Sequence, residues 1–219
     1  MRRDRAPAER RLDGRRRRAF ARDACAVCNA GAEALDVDVT DQASVLACLR
    51  DLGARHGRVD LTVNAASPYG GSGSGPFGGG PLAGARPTSV DDWATLPVRG
   101  AFGFLSASAN FMSAQGGPST IVQVTGGSAR RGMPGRGPWA AGAFGVRALT
   151  QAAAAELREQ EIHVALLIVD AVIDRSEGDD TATTDPGSLA DAVAYLAAQS
   201  PRAMTHELQV TPAGDNWTP

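Results

Sequence analysis

Thr120 to Glu156, TIVQVTGGSARRGMPGRGPWAAGAFGVRALTQAAAAE, is the stretch on which the fold turns. Ile121 to Val124 is a short apolar run rich in β-branched residues, and it ends at Gly126-Gly127, so it reads as a strand closed by a turn. A loop rich in Gly, Pro and Arg follows. After it an Ala-rich segment with no breaker beyond Gly145 predicts a long helix, Ala140 to Gln160. Val146, Leu149, Ala153 and Leu157 recur at spacings of three and four and share one face of that helix, while Phe144, Ala148, Ala152 and Ala155 line the adjacent one. Two apolar faces predict burial on two sides.

Upstream of this unit, Glu33 to Val39 (EALDVDV) alternates and runs into Asp38-Val39-Thr40-Asp41, which predicts a strand followed by a helix N-cap. Val45, Leu46, Leu49 and Leu52 give the helix its stripe, and Gly53 or Gly57 gives it a stop. Val59 to Ala66 (VDLTVNAA) reads as a buried strand, and Ala19 to Ala24 as a shorter one ending at Arg22-Asp23. Pro68 to Pro87 is a Gly/Ser/Pro loop. Its Gly71, Gly73 and Gly75 have the spacing of an anion cradle, but Pro76 and more Gly follow where a helix would have to open, so the run reads as linker. Ser89 to Trp93 opens a helix with an acidic first turn, which Phe102 to Met112 resumes after interruptions at Pro97 and Gly100. Downstream, His163 to Val169 is a strand leading into Asp170-Ala171-Val172-Ile173-Asp174. Asp185-Pro186 starts a helix through Ala198, and Thr205 to Val210 is the final strand.

Composition narrows the function. With 219 residues and 43% hydrophobic content, the chain suits one globular domain with a sizeable core. It has no run of eighteen apolar residues and no apolar segment near its start, which reads as a cytoplasmic protein with no membrane partner. Cys25, Cys28 and Cys48 are an odd count that argues against a disulfide framework. Cys25-Ala-Val-Cys28 has no second pair or nearby His to complete a zinc site, so no metal is expected. All 22 basic residues are Arg. The absence of Lys excludes Schiff-base chemistry and a Walker-type phosphate lysine. Residues 1–18 hold nine Arg against three acids, giving +6, and the remainder thirteen against twenty-one, giving −8, which together make the net −2. The arm reads as a disordered basic tail; a nucleic-acid role would need aromatic or base-reading groups that it lacks.

The helix sequence GVRALTQAAAAEL resembles the one that carries the active site of the short-chain dehydrogenase/reductases. In that family a strand ends at a catalytic Ser, a Tyr comes thirteen residues later, and a Lys follows the Tyr at four. Those positions fall here on Gly126, Trp139 and Ala143. The resemblance implies an α/β fold, a Rossmann-like doubly wound parallel sheet over residues 19–219, and NADP or NAD as cofactor. It also implies an oxidoreductase acting on a small alcohol or carbonyl, and pairing of the chain with itself, as dimer or tetramer, through helix 140–160. Arg22 matches the position that selects the cofactor's 2′-phosphate, Asp38-Val39 the pair that meets the adenine, and Asn64-Ala65 the segment bordering the cofactor. Asp170 and Ile173 fall where the backbone holds the nicotinamide amide, although the family's usual Pro-Gly is here Asp170-Ala171.

Carbonyl reduction needs a proton donor, in this family a Tyr whose pKa of about 10 is lowered by a cation. Trp139 offers an N–H that does not titrate usefully, and Ala143 offers nothing. Where the family has an Asn in the preceding helix, this chain has Pro97 or Arg99. Thr125 and Ser128 are the hydroxyls nearest the vacated Ser position and are the candidates to polarise a carbonyl. His206, alone on one strand face, reads as structural.

No GxxxGxG precedes Ala19, so the sheet is expected to lack its first strand and helix. Three explanations stay open: the arm or a partner covers the gap, the neighbouring strands sit elsewhere, or the recorded start lies downstream of the true one. The sequence thus describes an atypical family member, an NAD(P)-dependent oxidoreductase that is inactive or truncated as given, with a noncatalytic dimerising relative as the alternative.

Overall fold

The computed structural model describes residues 31–66, 80–174 and 180–215. The chain divides into two units, Met1–Val37 and Asp38–Pro219. In the first, the described residues 31–37 form neither helix nor strand. The strand predicted at Glu33–Val39 is therefore absent. Alternation supplies a face but no ladder, and no described strand pairs with this segment. The strand predicted at Ala19–Ala24, together with Arg22, Cys25, Cys28 and the Gly71, Gly73, Gly75 run, lies outside the described residues.

In the second unit, helix α1 (Gln42–His56) is capped by Asp41, whose carboxylate accepts from Ala43 N at 3.0 Å. Asp38, expected at or near this cap, instead closes its own turn, accepting from Thr40 N at 2.9 Å and Thr40 Oγ1 at 2.6 Å. Of the two candidate stops, Gly57 ends the helix at φ 86°. Gly53 stays inside it because the Phe111 ring lies where a side chain would go, 2.6 Å from an added Cβ.

Strand β1 (Leu61–Asn64) is followed, after a 3₁₀ turn at Leu82–Gly84, by one continuous helical run from Ser89 to Gln115. The break expected at Pro97 does not occur. A π turn, Asp91–Thr95, precedes α2 (Leu96–Gln115), and Leu96 N bonds the Asp91 carbonyl. The wider turn accommodates a residue that has no N–H and whose ring would strike the carbonyl four residues back, that of Trp93. Gly100, the other expected interruption, is buried within α2.

β2 (Ser119–Gly126) leads through a 3₁₀ turn, Gly127–Ala129, into α3 (Gly137–Leu157), then β3 (Ile162–Val169). Two-residue strands β4 (Val172–Ile173) and β5 (Thr183–Thr184) pair in parallel, and α4 (Pro186–Ala197) precedes β6 (Glu207–Val210). The main sheet runs β1-β2-β3-β6, all parallel. Every residue of β3 is buried because both faces are covered. Leu166 and Ile168 pack with Ala101 of α2 and Val146 of α3 on one face. Ala165, Leu167 and Val169 pack with Leu189, Val193 and Leu196 of α4 on the other. Helices on both faces of a parallel sheet are the expected doubly wound arrangement.

Among the described residues, helix α3 buries one of its two predicted faces and leaves the other open. Val146 and Leu157 are buried, with Leu149 and Ala153 partly so, whereas Phe144 is 42% exposed and Ala148, Ala152 and Ala155 lie open. At the lower end of the sheet His163 Nε2 donates to the Thr205 carbonyl at 3.0 Å and His206 Nδ1 to that of Val164 at 3.1 Å. The pair fastens β3 to the start of β6. Among the described residues no helix is long and apolar enough to cross a membrane, and no three His, Cys, Asp or Glu side chains gather as a metal site.

Candidate functional site

The C-terminal ends of parallel strands, where backbone direction changes into loops and helix starts, are where this class of sheet places ligands. β2 ends there with Thr125 and Gly126. Gly126 is extended, φ −95° and ψ 171°, and an added Cβ would meet only the Val169 carbonyl, at 3.9 Å. The next residue is different. A Cβ on Gly127 would stand 1.9 Å from Asp170 Oδ1, because the Asp170 carboxylate lies against the Gly127 backbone. Asp170 Oδ2 accepts from Arg131 Nη1 at 3.0 Å and from Gln209 Nε2 at 3.4 Å, and its N–H bonds the Val210 carbonyl. This cluster ties the loop after β2 to the ends of β3 and β6.

A second tie lies along α3. Arg147 grips Glu207 of β6 with two hydrogen bonds, 2.8 and 2.7 Å, and reaches the Ala129 carbonyl at 3.2 Å; Gln151 adds a bond of 2.7 Å to Glu207. The Arg147 hydrogen bonds hold the Glu207 carboxyl below the usual carboxylate range, against partial burial that acts in the opposite sense. With both ends of the loop fixed, the start of α3 is aimed at the end of β2.

There a cavity of about 370 Å3 opens, with Asn64, Ala65, Thr125, Gly126, Trp139 and Ile173 in its wall. Those six sequence-selected residues come together. Trp139 is half-buried and tilts against Trp93 at 5.5 Å between ring centroids. Ser128 is buried in the 3₁₀ turn and does not line the cavity, and Ala143, 1% exposed, is packed into the interior. Asp38, Val39 and Asp170 are also outside the wall. Asp38 is occupied by its own turn and Asp170 by Arg131 and Gln209, so neither carboxylate is aimed at the cavity. No sequence pattern pointed to Leu189 and Val193 of α4, which also line the wall, or to the Arg131–Asp170–Gln209 cluster. Both depend on segments far apart in the chain.

The wall's polar groups are few. Asn64 Nδ2 donates to Gln123 Oε1 at 2.9 Å, Asn64 Oδ1 accepts from Ala66 N, and Gln123 Nε2 donates to the Val124 carbonyl. Much of the hydrogen-bonding capacity of these amides is used within the protein. Thr125 makes no side-chain hydrogen bond to another described residue, and no described residue in the wall is charged. The nicotinamide ring in its reduced form, which is uncharged, fits this lining. The phosphates of a dinucleotide find no partner in it.

A family profile described as enoyl-(acyl carrier protein) reductase matches residues 14–182, well over half of the chain. The chain belongs to the short-chain dehydrogenase/reductase family. No curated protein matches it by sequence. Solved members of the short-chain dehydrogenase family have the same fold. One from Rhodopseudomonas palustris is 24% identical with a TM-score of 0.69, over 89% of this chain and 82% of its own. A metagenomic short-chain oxidoreductase in complex with NADP is 26% identical with a TM-score of 0.65, over 92% and 82%. A gluconate 5-dehydrogenase from Burkholderia cenocepacia, in complex with NADP and tartrate, is 22% identical with a TM-score of 0.68, over 87% and 79%. The parallel sheet with helices on both faces is the dehydrogenase arrangement that the sequence led us to expect.

Proposed function

We propose that this member of the short-chain dehydrogenase family does not carry out hydride transfer through the family's proton relay and acts instead as a noncatalytic ligand-binding relative. One observation carries the reading: no described side chain in the cavity wall titrates, Trp139 standing where the resemblance puts the Tyr. Ala143, at the position of the Lys, is buried and has no polar group. Reduction of a carbonyl leaves negative charge on its oxygen, and a proton donor matched to the operating pH contributes about 10² to 10⁴ in rate. An indole N–H can hydrogen-bond that oxygen but cannot deliver a proton to it.

NADP or NAD is the cofactor implied by the likeness to NADP-bound relatives. When bound, it supplies hydride. What this chain's described residues would do is seat its reduced nicotinamide end: Ala65, Thr125, Ile173 and Trp139 line the space. With no cation among the described residues of that wall, binding of the dinucleotide is expected to be weak. Self-association belongs to the same reading, through the exposed face of α3, on which Phe144 is 42% exposed.

The experiment is NADPH oxidation against a panel of ketones and aldehydes, alongside an NADPH fluorescence titration. The expected result is no turnover above the buffer rate and no saturation below millimolar cofactor. Turnover proportional to protein concentration would overturn the reading. It would favour an oxidoreductase that polarises the carbonyl with Thr125, whose hydroxyl lies on the cavity wall with no side-chain hydrogen bond to another described residue; Thr125→Val would then abolish the rate.

A further inference from the structure

Resting on the reading of the cavity as a ligand site, we infer what kind of molecule it takes: an uncharged, largely apolar one of about a dozen heavy atoms, carrying a single hydrogen-bonding group. Size is the first argument. A cavity of about 370 Å3 lies in the range of small-molecule sites, about 300 to 1,000 Å3. An apolar cavity of about 150 Å3 is enough to take up benzene. Roughly twice that space suits a two-ring molecule.

Chemistry is the second. Val63, Val124, Leu189 and Val193 supply aliphatic wall, and Trp139 and Pro97 supply flat surface on which a ring can lie. A charged group in such a place is desolvated with nothing to pair it, and that is costly whatever its sign. The two amides in the wall, Asn64 and Gln123, are turned toward each other and toward backbone, so much of their hydrogen-bonding capacity is used within the protein. Thr125 is the remaining wall hydroxyl, and it has no partner among the described residues. One donor-acceptor group on the ligand answers it.

Gly126 provides the control. Its backbone is in a conformation open to any residue, and a Cβ added there would meet nothing nearer than the Val169 carbonyl, at 3.9 Å. A leucine there would project into the site without backbone strain.

The test is equilibrium dialysis of the full chain with 2-naphthol, which is uncharged at neutral pH, and with 2-naphthoate, which has the same ring system and a negative charge. Saturable uptake of one 2-naphthol per chain is expected. The carboxylate should bind at least about tenfold more weakly, because its charge is desolvated without a partner. Thr125→Val should weaken 2-naphthol by about three- to tenfold, the worth of one net hydrogen bond. Gly126→Leu should abolish uptake while circular dichroism stays that of the parent. Absence of saturable binding, equal binding of 2-naphthoate, or full affinity in Gly126→Leu would each overturn the inference. NADPH turnover would not touch it. Turnover with selective 2-naphthol binding would remove only the noncatalytic reading, and no turnover with no binding would remove only this one.

Discussion

Gly127→Ala is a substitution of one methyl group whose cost can be worked out from the geometry. The new Cβ would stand 1.9 Å from Asp170 Oδ1 and 2.2 Å from its Cγ, distances at which something has to move. What moves is the end of a short side chain rather than backbone, so the carboxylate swings out and the cost is set by what it leaves behind. It leaves the ion pair with Arg131, whose partners are 27% and 18% exposed, and the weaker bond from Gln209. Hydrogen bonds to charged groups in partly buried sites are worth about 1.5 to 3 kcal/mol. Replacing Gly by Ala returns about 0.4 to 1 kcal/mol by restricting the unfolded chain. The net loss is then about 1 to 2 kcal/mol, or roughly 2 to 8 °C in Tm for a chain of this size. The assay is urea unfolding followed by circular dichroism on Gly127→Ala, Asp170→Ala and the double variant. If the carboxylate is the atom displaced, the double variant should be no less stable than Asp170→Ala alone, since the methyl group then has room. Additive losses would refute this account of the site.

Removing Arg147 with Arg147→Ala should cost about 1 to 2 kcal/mol at neutral pH, through its two-pronged bond to Glu207. Because Glu207 is held below the usual carboxylate range, this stabilisation is present above the unfolded value near pH 4.3 and is lost as pH falls through the lower folded value. The gap between parent and variant in urea unfolding should therefore close in acid, and a gap unchanged at pH 2 would count against the assignment. Gly142→Ala should destabilise by about 1 to 3 kcal/mol, since its Cβ would stand 2.5 Å from the Trp93 carbonyl and backbone cannot swing aside; thermal unfolding measures it. Sedimentation should show self-association of the parent chain, and Phe144→Glu, at an exposed position, should give a folded monomer. A parent that sediments as a monomer would remove the interface on α3.

By itself the sequence determined the repeating unit. A β-branched run, a glycine turn and an alanine-rich helix at 120–156 are local patterns, and local sterics and side-chain periodicity suffice to read them. The same holds for β3, whose continuous apolar run His163–Val169 can be satisfied only with cover on both faces. Local pattern misled where the outcome depended on a neighbour. Glu33–Val39 alternates like a strand, yet no described strand pairs with it. Pro97 looked like an interruption, yet a π turn carries the helix past it, bringing the Trp93 carbonyl against Gly142 of a helix some fifty residues away. The second apolar face of α3 finds no cover among the described residues, because only the fold decides how many surfaces one sheet can present. The site divides in the same way. Gly126, Trp139 and Ala143 were readable from spacing along one segment. Tertiary structure alone placed Asp170 against Gly127, committed Asn64 to Gln123, and brought Leu189 and Val193 across to close the cavity, because charge compensation and enclosure are properties of groups that meet only after the chain has folded.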